Sequence, residues 1–500
     1  MTAVPNRRGA LVQEARSPGA AVGATSGGEA AALYSLHPKV LWRFFAKQQA
    51  SFWLVCLYTF FEYVRPQQIY TALLVVPWSK LLLFLTPVVF LVEGNGFRAR
   101  SVLNVLMVAF SMVLLASSVL AVSPADSFDN MQLYINWVMV YIFVANVANT
   151  EARFLVFTGL FLLWSTKMSQ HGVRSWLENG FRFSSWGATG APGWFANSGE
   201  FGIQMCIFFP LSMYWFVGLR KHWKKWQRML FLALPASAVA SIVATSSRGA
   251  LVGLGLVGLW MVMRSRYKVR ALVGIVALAA IVWTVTPAEQ KARFDTAGED
   301  DTSVSRIAYW KHGIDLTIQN PFLGIGYFNW ESYHKNRSRL DRTFLPHNIF
   351  IQASAEMGAL GLIALLLLMG GTLVVNWRTR KLMKPLGDRG HFLHSMSLGL
   401  DGALVGYIGS GFFITVLFYP YLWFNLAMTA ALFRAAQTLA AEAANGARTA
   451  APVGGLQRAP WFRSGGPVGG RRALPLPQAP RVPATSGARV IVLDVVERDR

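Results

Sequence analysis

The chain has 500 residues, 54% of them hydrophobic and only 14% charged, with a mean hydropathy of +0.38; a soluble domain runs to about a quarter charged, so a soluble enzyme is excluded in favour of an integral membrane protein. The formal net charge is +23, but the basic residues lie in the tails and in short loops between apolar runs, which suits membrane orientation and anionic headgroups and argues against nucleic acid as a partner. The two cysteines, Cys56 and Cys206, both fall inside apolar runs, which argues against a disulfide framework or a thiolate metal site.

Residues 1–38, rich in Ala and Gly with scattered Arg, read as a disordered cytoplasmic tail. No apolar stretch with a cleavage site is visible near Met1, so the first transmembrane helix is expected to act as the insertion signal. Apolar runs then follow at about 50–64, 71–92, 102–122, 131–147, 153–167, 201–219, 229–245, 249–263, 271–286, 357–375, 396–418 and 421–437. A spanning helix needs about 20 residues. The expected fold is an all-α integral membrane protein with about 12 transmembrane helices within residues 39–440.

The loops agree with the positive-inside rule. Arg98 and Arg100 follow the second run, Arg220 to Arg228 the sixth, Arg264 to Arg270 the eighth, and Arg378 to Arg389 the tenth. All of these are even-to-odd loops, whereas the odd-to-even loop 123–130 (SPADSFDN) has no Lys or Arg. Both termini are therefore expected to be cytoplasmic and the odd-to-even loops to face outward. Three outward segments are more than turns: the Gly- and Trp-rich stretch 168–200, the tight hairpin Thr245-Ser246-Ser247-Arg248-Gly249, and the large loop 287–356 between helices 9 and 10. Long loops in compact architectures are usually functional or disordered, and the last is not low in complexity. Residues 441–500 read as a basic, Pro/Gly-rich cytoplasmic tail, with a short strand conceivable from Arg489 to Val496.

Several residues on the outward side have the chemistry for a site. Arg248 tips a hairpin between two apolar helices, where a charge is costly. It reads either as an arginine snorkelling to the interface or as an anion clamp; the flanking Ser246, Ser247 and Gly249 favour the second. Residues 302–319 read as a surface helix capped by Thr302 or Ser303 and ended by Asn320-Pro321; on it Arg306 reads first as a solvated charge. Gly324-Ile325-Gly326 makes a turn and is too short for a nucleotide motif.

His347 and Asn348 precede a helix running from Ile349 to Leu368, with Asn348 as its N-cap. A helix N-terminus suits a phosphate, and an imidazole near neutral pH can take a proton from a hydroxyl. The pair reads equally as a cap without catalysis. Gln352 and Glu356 follow on roughly the same face. His171 and Arg174 lie in the first outward segment near Trp176, Trp186 and Trp194, which read as interfacial tryptophans that can also stack on sugars. Glu299, Asp300 and Asp301 read as a solvated acidic patch rather than a metal site.

Taken in order, Ser247-Arg248-Gly249-Ala250, Asn320-Pro321-Phe322-Leu323-Gly324-Ile325-Gly326, His347-Asn348 and Glu356-Met357-Gly358-Ala359-Leu360-Gly361 resemble the O-antigen ligase and O-antigen polymerase superfamily. The resemblance covers mainly residues 230–375. It implies an inverting glycosyltransferase of the bacterial inner membrane that takes a glycan from undecaprenyl diphosphate at the periplasmic face. The implied acceptor is lipid A–core, another glycan or a protein hydroxyl, and no metal or other cofactor is needed. By motif position Arg248 would hold the diphosphate and His347 would help deprotonate the acceptor, with Arg174, Arg306, Asn348 and Ser247 binding substrate. EYVRPQ (Glu62–Gln67) and GWFANSGEFG (Gly193–Gly202) resemble a subgroup of unassigned acceptor. A polymerase of the same superfamily shares these motifs. A polysaccharide transporter is the reading from another class, against which stand the gathering of candidates at one rim and the lack of an internal repeat.

Overall fold

The computed structural model describes residues 26–182, 187–286, 288, 291, 301–337 and 345–450. Residues Met1–Arg448 form one compact unit; of the second, Thr449–Arg500, only the first two residues are described. The expected strand at 489–496, most of the basic tail, residues 1–25, Trp186, Glu299 and Asp300 lie outside the described residues.

Among the described residues the fold is helical throughout, without strands. In chain order the helices are α1 (Ser26–Leu33), α2 (Pro38–Ala46), α3 (Ala50–Tyr63), α4 (Pro66–Ile69), α5 (Trp78–Val92), α6 (Val102–Val119), α7 (Pro124–Asp129), α8 (Met131–Val147) and α9 (Glu151–Glu178). They continue with α10 (Ser198–Leu219), α11 (Lys225–Ala244), α12 (Arg248–Arg264), α13 (Lys268–Val285), α14 (Asp301–Gln319), α15 (Trp330–Arg337), α16 (Ile349–Met383), α17 (His391–Gly411) and α18 (Pro420–Ala450). Each of the twelve apolar runs overlaps one of these helices. Among the described residues four helical stretches, Val102–Val119, Ser198–His222, Lys225–Ala244 and Ile349–Gly411, are long and apolar enough to cross a bilayer.

The bounds differ from the sequence pattern where a local signal was outweighed. Helix α5 starts at Trp78 rather than 71, because Pro77 precedes it and residues Thr71–Leu73 form a 3-10 turn. Helix α1 starts inside the expected tail, with Ala30 and Leu33 buried and the Tyr34 hydroxyl donating to Glu151 at 2.5 Å. Helix α9 runs on to Glu178, so the first part of segment 168–200 is helical. Helix α14 is already formed at Asp301, which puts Thr302 and Ser303 in its first turn rather than at its cap.

The core lies where α10, α12, α17 and the start of α18 meet, with Trp423, Tyr421 and Tyr407 fully buried. Small residues let these helices approach closely: a methyl group on Gly406 of α17 would lie 2.7 Å from the Cys206 carbonyl of α10. Deeper along α16 and α17, Arg380 and Asp401 form an ion pair at 2.7 Å, and Asn376 donates to the same carboxylate at 2.8 Å. Pairing is what makes such charges tolerable among apolar helices.

One interruption positions the candidate site. Gly358 leaves the helical region (φ 67, ψ −168), so α16 consists of a short segment Ile349–Met357 and a long one after it. A broken helix leaves backbone groups unpaired, which is costly away from water. Here the turn Asn320–Gly326 supplies the partners. The Ile325 and Gly326 N–H groups donate to the Ala355 and Glu356 carbonyls at 2.9 Å each, and the Ala359 N–H donates to the Pro321 carbonyl at 2.7 Å. The Ser117 hydroxyl also reaches the Glu356 carbonyl, at 2.9 Å. A methyl group on Gly324 (φ +68) would strike the Ala355–Glu356 backbone, and one on Gly358 (φ +67) the Phe322–Leu323 backbone. The NPFLGIG motif is thus a backbone plug for the gap in α16. Gly358→Ala is expected to destabilise the protein by more than the ~1–3 kcal/mol of the strained backbone alone, because the added carbon also lands on Phe322. A thermal melt of the purified variant in nanodiscs measures this.

Candidate active site

The hairpin between α11 and α12 is three residues long. Ser246 sits at φ 53, and Ser247 caps α12, its hydroxyl accepting the Ala250 N–H at 3.3 Å. Capping fixes Arg248 as the first residue of α12. From there its Nη2 donates to the Ser303 hydroxyl of α14 at 3.5 Å. Ser303 and Arg306 lie three residues apart on α14 and so share a face.

His347 is held from two sides. Its backbone N–H donates to the Thr415 hydroxyl at 2.8 Å, and the carbonyl of Pro346 accepts the Trp310 indole N–H of α14 at 3.0 Å. Trp310 in turn packs edge-on against Phe412 at 5.2 Å. The residue adopts a left-handed conformation (φ 46), which a turn into a helix can demand but a side chain resists. Its Nδ1 is buried and has no hydrogen-bond partner among the described residues. Burial, and then the nearby Arg306 cation, lower its pKa to about 4. At neutral pH the imidazole is therefore uncharged and able to accept a proton.

Asn348 caps α16: its Oδ1 accepts the Phe350 and Ile351 N–H groups at 2.8 and 3.1 Å. Gln352 and Glu356 share a face of the first segment of α16, and their side chains hydrogen-bond each other. The Gln352 Oε1 accepts the Leu417 N–H at 3.4 Å, and the buried Glu356 carboxyl faces the backbone N–H groups of Trp330 and Phe328. Both brace the loops around the break in α16.

Ser247, Arg248, Arg306, His347 and Asn348 thus gather about the first turns of α14 and the loop 345–348. Arg174 does not join them in any contact among the described residues. It projects from the extended α9 with 70% of its side chain exposed and pairs with Glu178 at 3.4 Å. His171 on the same helix is exposed, whereas Trp176 is buried. No sequence pattern marks Thr415 or Ser303 as a partner of the cluster; both are short polar residues. The Trp310 indole N–H is a further support.

Two cations beside a neutral, buried imidazole suit a reaction in which an anionic leaving group departs while a hydroxyl loses its proton. Residues 229–366 match the family model Wzy_C, described as O-Antigen ligase. No curated protein matches the chain. The matched region runs from the start of α11 into α16 and contains Arg248, Arg306 and His347, but neither Arg174 nor Trp194.

Proposed function

We propose that the chain, whose residues 229–366 match the O-antigen ligase family model, is a ligase moving a glycan from undecaprenyl diphosphate to an acceptor hydroxyl at the periplasmic face of the bacterial inner membrane. The family match and the apolar helices support a membrane-bound glycosyltransferase of the ligase or polymerase type. The grouping of Arg248, Arg306 and a neutral His347 carries the finer reading.

In this reaction the acceptor oxygen attacks the anomeric carbon from the face opposite the diphosphate. The new glycosidic bond forms as the bond from that carbon to the diphosphate oxygen breaks, which inverts the configuration. Undecaprenyl diphosphate leaves with the bonding electron pair, and His347 takes the acceptor proton. Arg248 and Arg306 stabilise the charge that develops on the leaving oxygen, a differential interaction that lowers the barrier. Ser247 and the N-terminus of α12 add neutral donors beside them, and Asn348 holds the helix that carries His347. Arg174, exposed on α9, is assigned at most an outer contact with substrate.

Deleting the gene and profiling the cell's glycans tests the proposal. A ligase leaves full-length glycan accumulating on its lipid carrier and the acceptor bare. Acceptors capped with single repeats would instead mean a polymerase, and an unchanged profile would overturn both.

A further inference from the structure

A second polar cluster adjoins the first and is used by nothing described so far. Residues Gly193–Gly202, which lead into α10, pack against EYVRPQ at the end of α3. The Trp194 indole N–H donates to the Glu62 carboxylate, itself only 5% exposed. The Arg65 guanidinium stands 5.7 Å from the Trp194 ring centre and donates to the Pro192 carbonyl at 3.0 Å. Tyr419 meets the Trp194 ring edge-on at 4.9 Å, and its hydroxyl bonds the Glu200 carboxylate. The Tyr421 hydroxyl lies within 3.0 Å of the Trp194 carbonyl and 2.9 Å of the Glu200 carbonyl.

Trp194, Tyr419 and Glu200 are each only half-buried. A tryptophan that merely anchors a protein at the membrane interface has no need of a buried carboxylate on its N–H or a guanidinium beside its ring. Here the ring is fixed in place before anything binds, while part of it remains open beside a carboxylate and a phenol. Rigid aromatic rings offer a large contact area at low entropic cost. The adjoining oxygens supply the few directed polar groups that a site for a polyhydroxylated ligand requires.

This cluster also lies close to the candidate chemistry. A methyl group on Gly199 would be 3.8 Å from the Ser247 hydroxyl. Thr415, which holds His347, is four residues from Tyr419, a separation of at most about 14 Å even for a fully extended chain.

We propose that Trp194, Tyr419, Glu200 and Arg65 form a preorganised glycan subsite, in which a pyranose ring stacks on Trp194 and its hydroxyls meet Glu200 and Tyr419. The subsite rests on the glycan-transfer reading above and specifies where the sugar, as opposed to the diphosphate, is held.

The test uses the full-length protein in lipid nanodiscs and two probes. One is the oligosaccharide released by mild acid from the lipid-linked pool of the source cells; the other is undecaprenyl diphosphate carrying no sugar. Trp194→Leu and Tyr419→Leu are each expected to weaken oligosaccharide binding by about tenfold, the scale of one lost aromatic contact, and to leave undecaprenyl diphosphate binding unchanged. Arg248→Ala is expected to do the reverse. Oligosaccharide binding at the wild-type level in either folded leucine variant would overturn the subsite. Should Trp194→Leu fail to fold once its bond to Glu62 is lost, Tyr419→Leu decides. Unchanged undecaprenyl diphosphate binding by Arg248→Ala would count against the transferase reading, while the oligosaccharide arm still judges the subsite.

Discussion

Arg248→Ala is expected to lower glycan transfer by about 10²–10³-fold, the scale of removing one preorganised donor from a developing negative charge. The fold should tolerate the change. Arg248 is the first residue of α12, where alanine is a good helix former, and the Ser247 cap stays in place. The guanidinium is lost, and with it contacts that include the 3.5 Å one with Ser303. Arg248→Lys restores the charge without the planar fork that grips two phosphate oxygens at once, so it should recover only part of the activity. Purified protein, lipid-linked glycan and acceptor suffice for the measurement. Transfer by the alanine variant within a fewfold of wild type would remove Arg248 from the site.

Loss of the base should be comparable or larger. Replacing His347 is expected to cost about 10²–10⁴-fold in transfer. Asparagine is a better replacement than alanine, because it tolerates the left-handed backbone that this position adopts at φ 46. The pH profile gives a second, independent reading. Burial and Arg306 hold the imidazole pKa at about 4, below its usual value of about 6.5. A base works only when deprotonated, so kcat/KM should rise as pH increases through about 4 and be level by pH 6. Arg306→Ala removes the second of the two causes and should move this acid limb upward, toward the ordinary histidine value. An acid limb that stays near 6.5 in the wild type, or that does not move in the Arg306 variant, would argue against His347 as the base.

Much of the scaffold was legible because hydropathy is a local property: every apolar run overlaps a helix, and Asn348 caps the helix that follows it, as its chemistry suggests. Contacts set by distant segments were not. Gly358 sits in an apolar run that reads as unbroken, and its departure from the helix depends on a turn more than thirty residues upstream that takes over the backbone hydrogen bonds. The same dependence hides the role of Asn320–Gly326, whose glycines read in sequence only as a turn and which closes that gap. Arg174 reads in sequence as a loop residue because the apolar run before it stops at 167, yet a helix with a polar final stretch continues past it. The joining of Glu62 and Arg65 to Trp194 links segments that no periodicity connects.

The gap in α16 also bears on how the protein responds to its lipid surroundings. Helices that are too long or too short for a bilayer accommodate by tilting. The 35 residues of α16 would make a rod about 52 Å long, and a tilt of about 10° would swing its tip by about 9 Å. Because the rod is broken at Gly358, the turn at 320–326 pins both sides of the break, Leu417 holds Gln352 and Thr415 holds His347, so such a swing is resisted before it reaches His347. The imidazole keeps its place against Arg306 while the long segment adjusts, so transfer should vary little across membranes of different thickness.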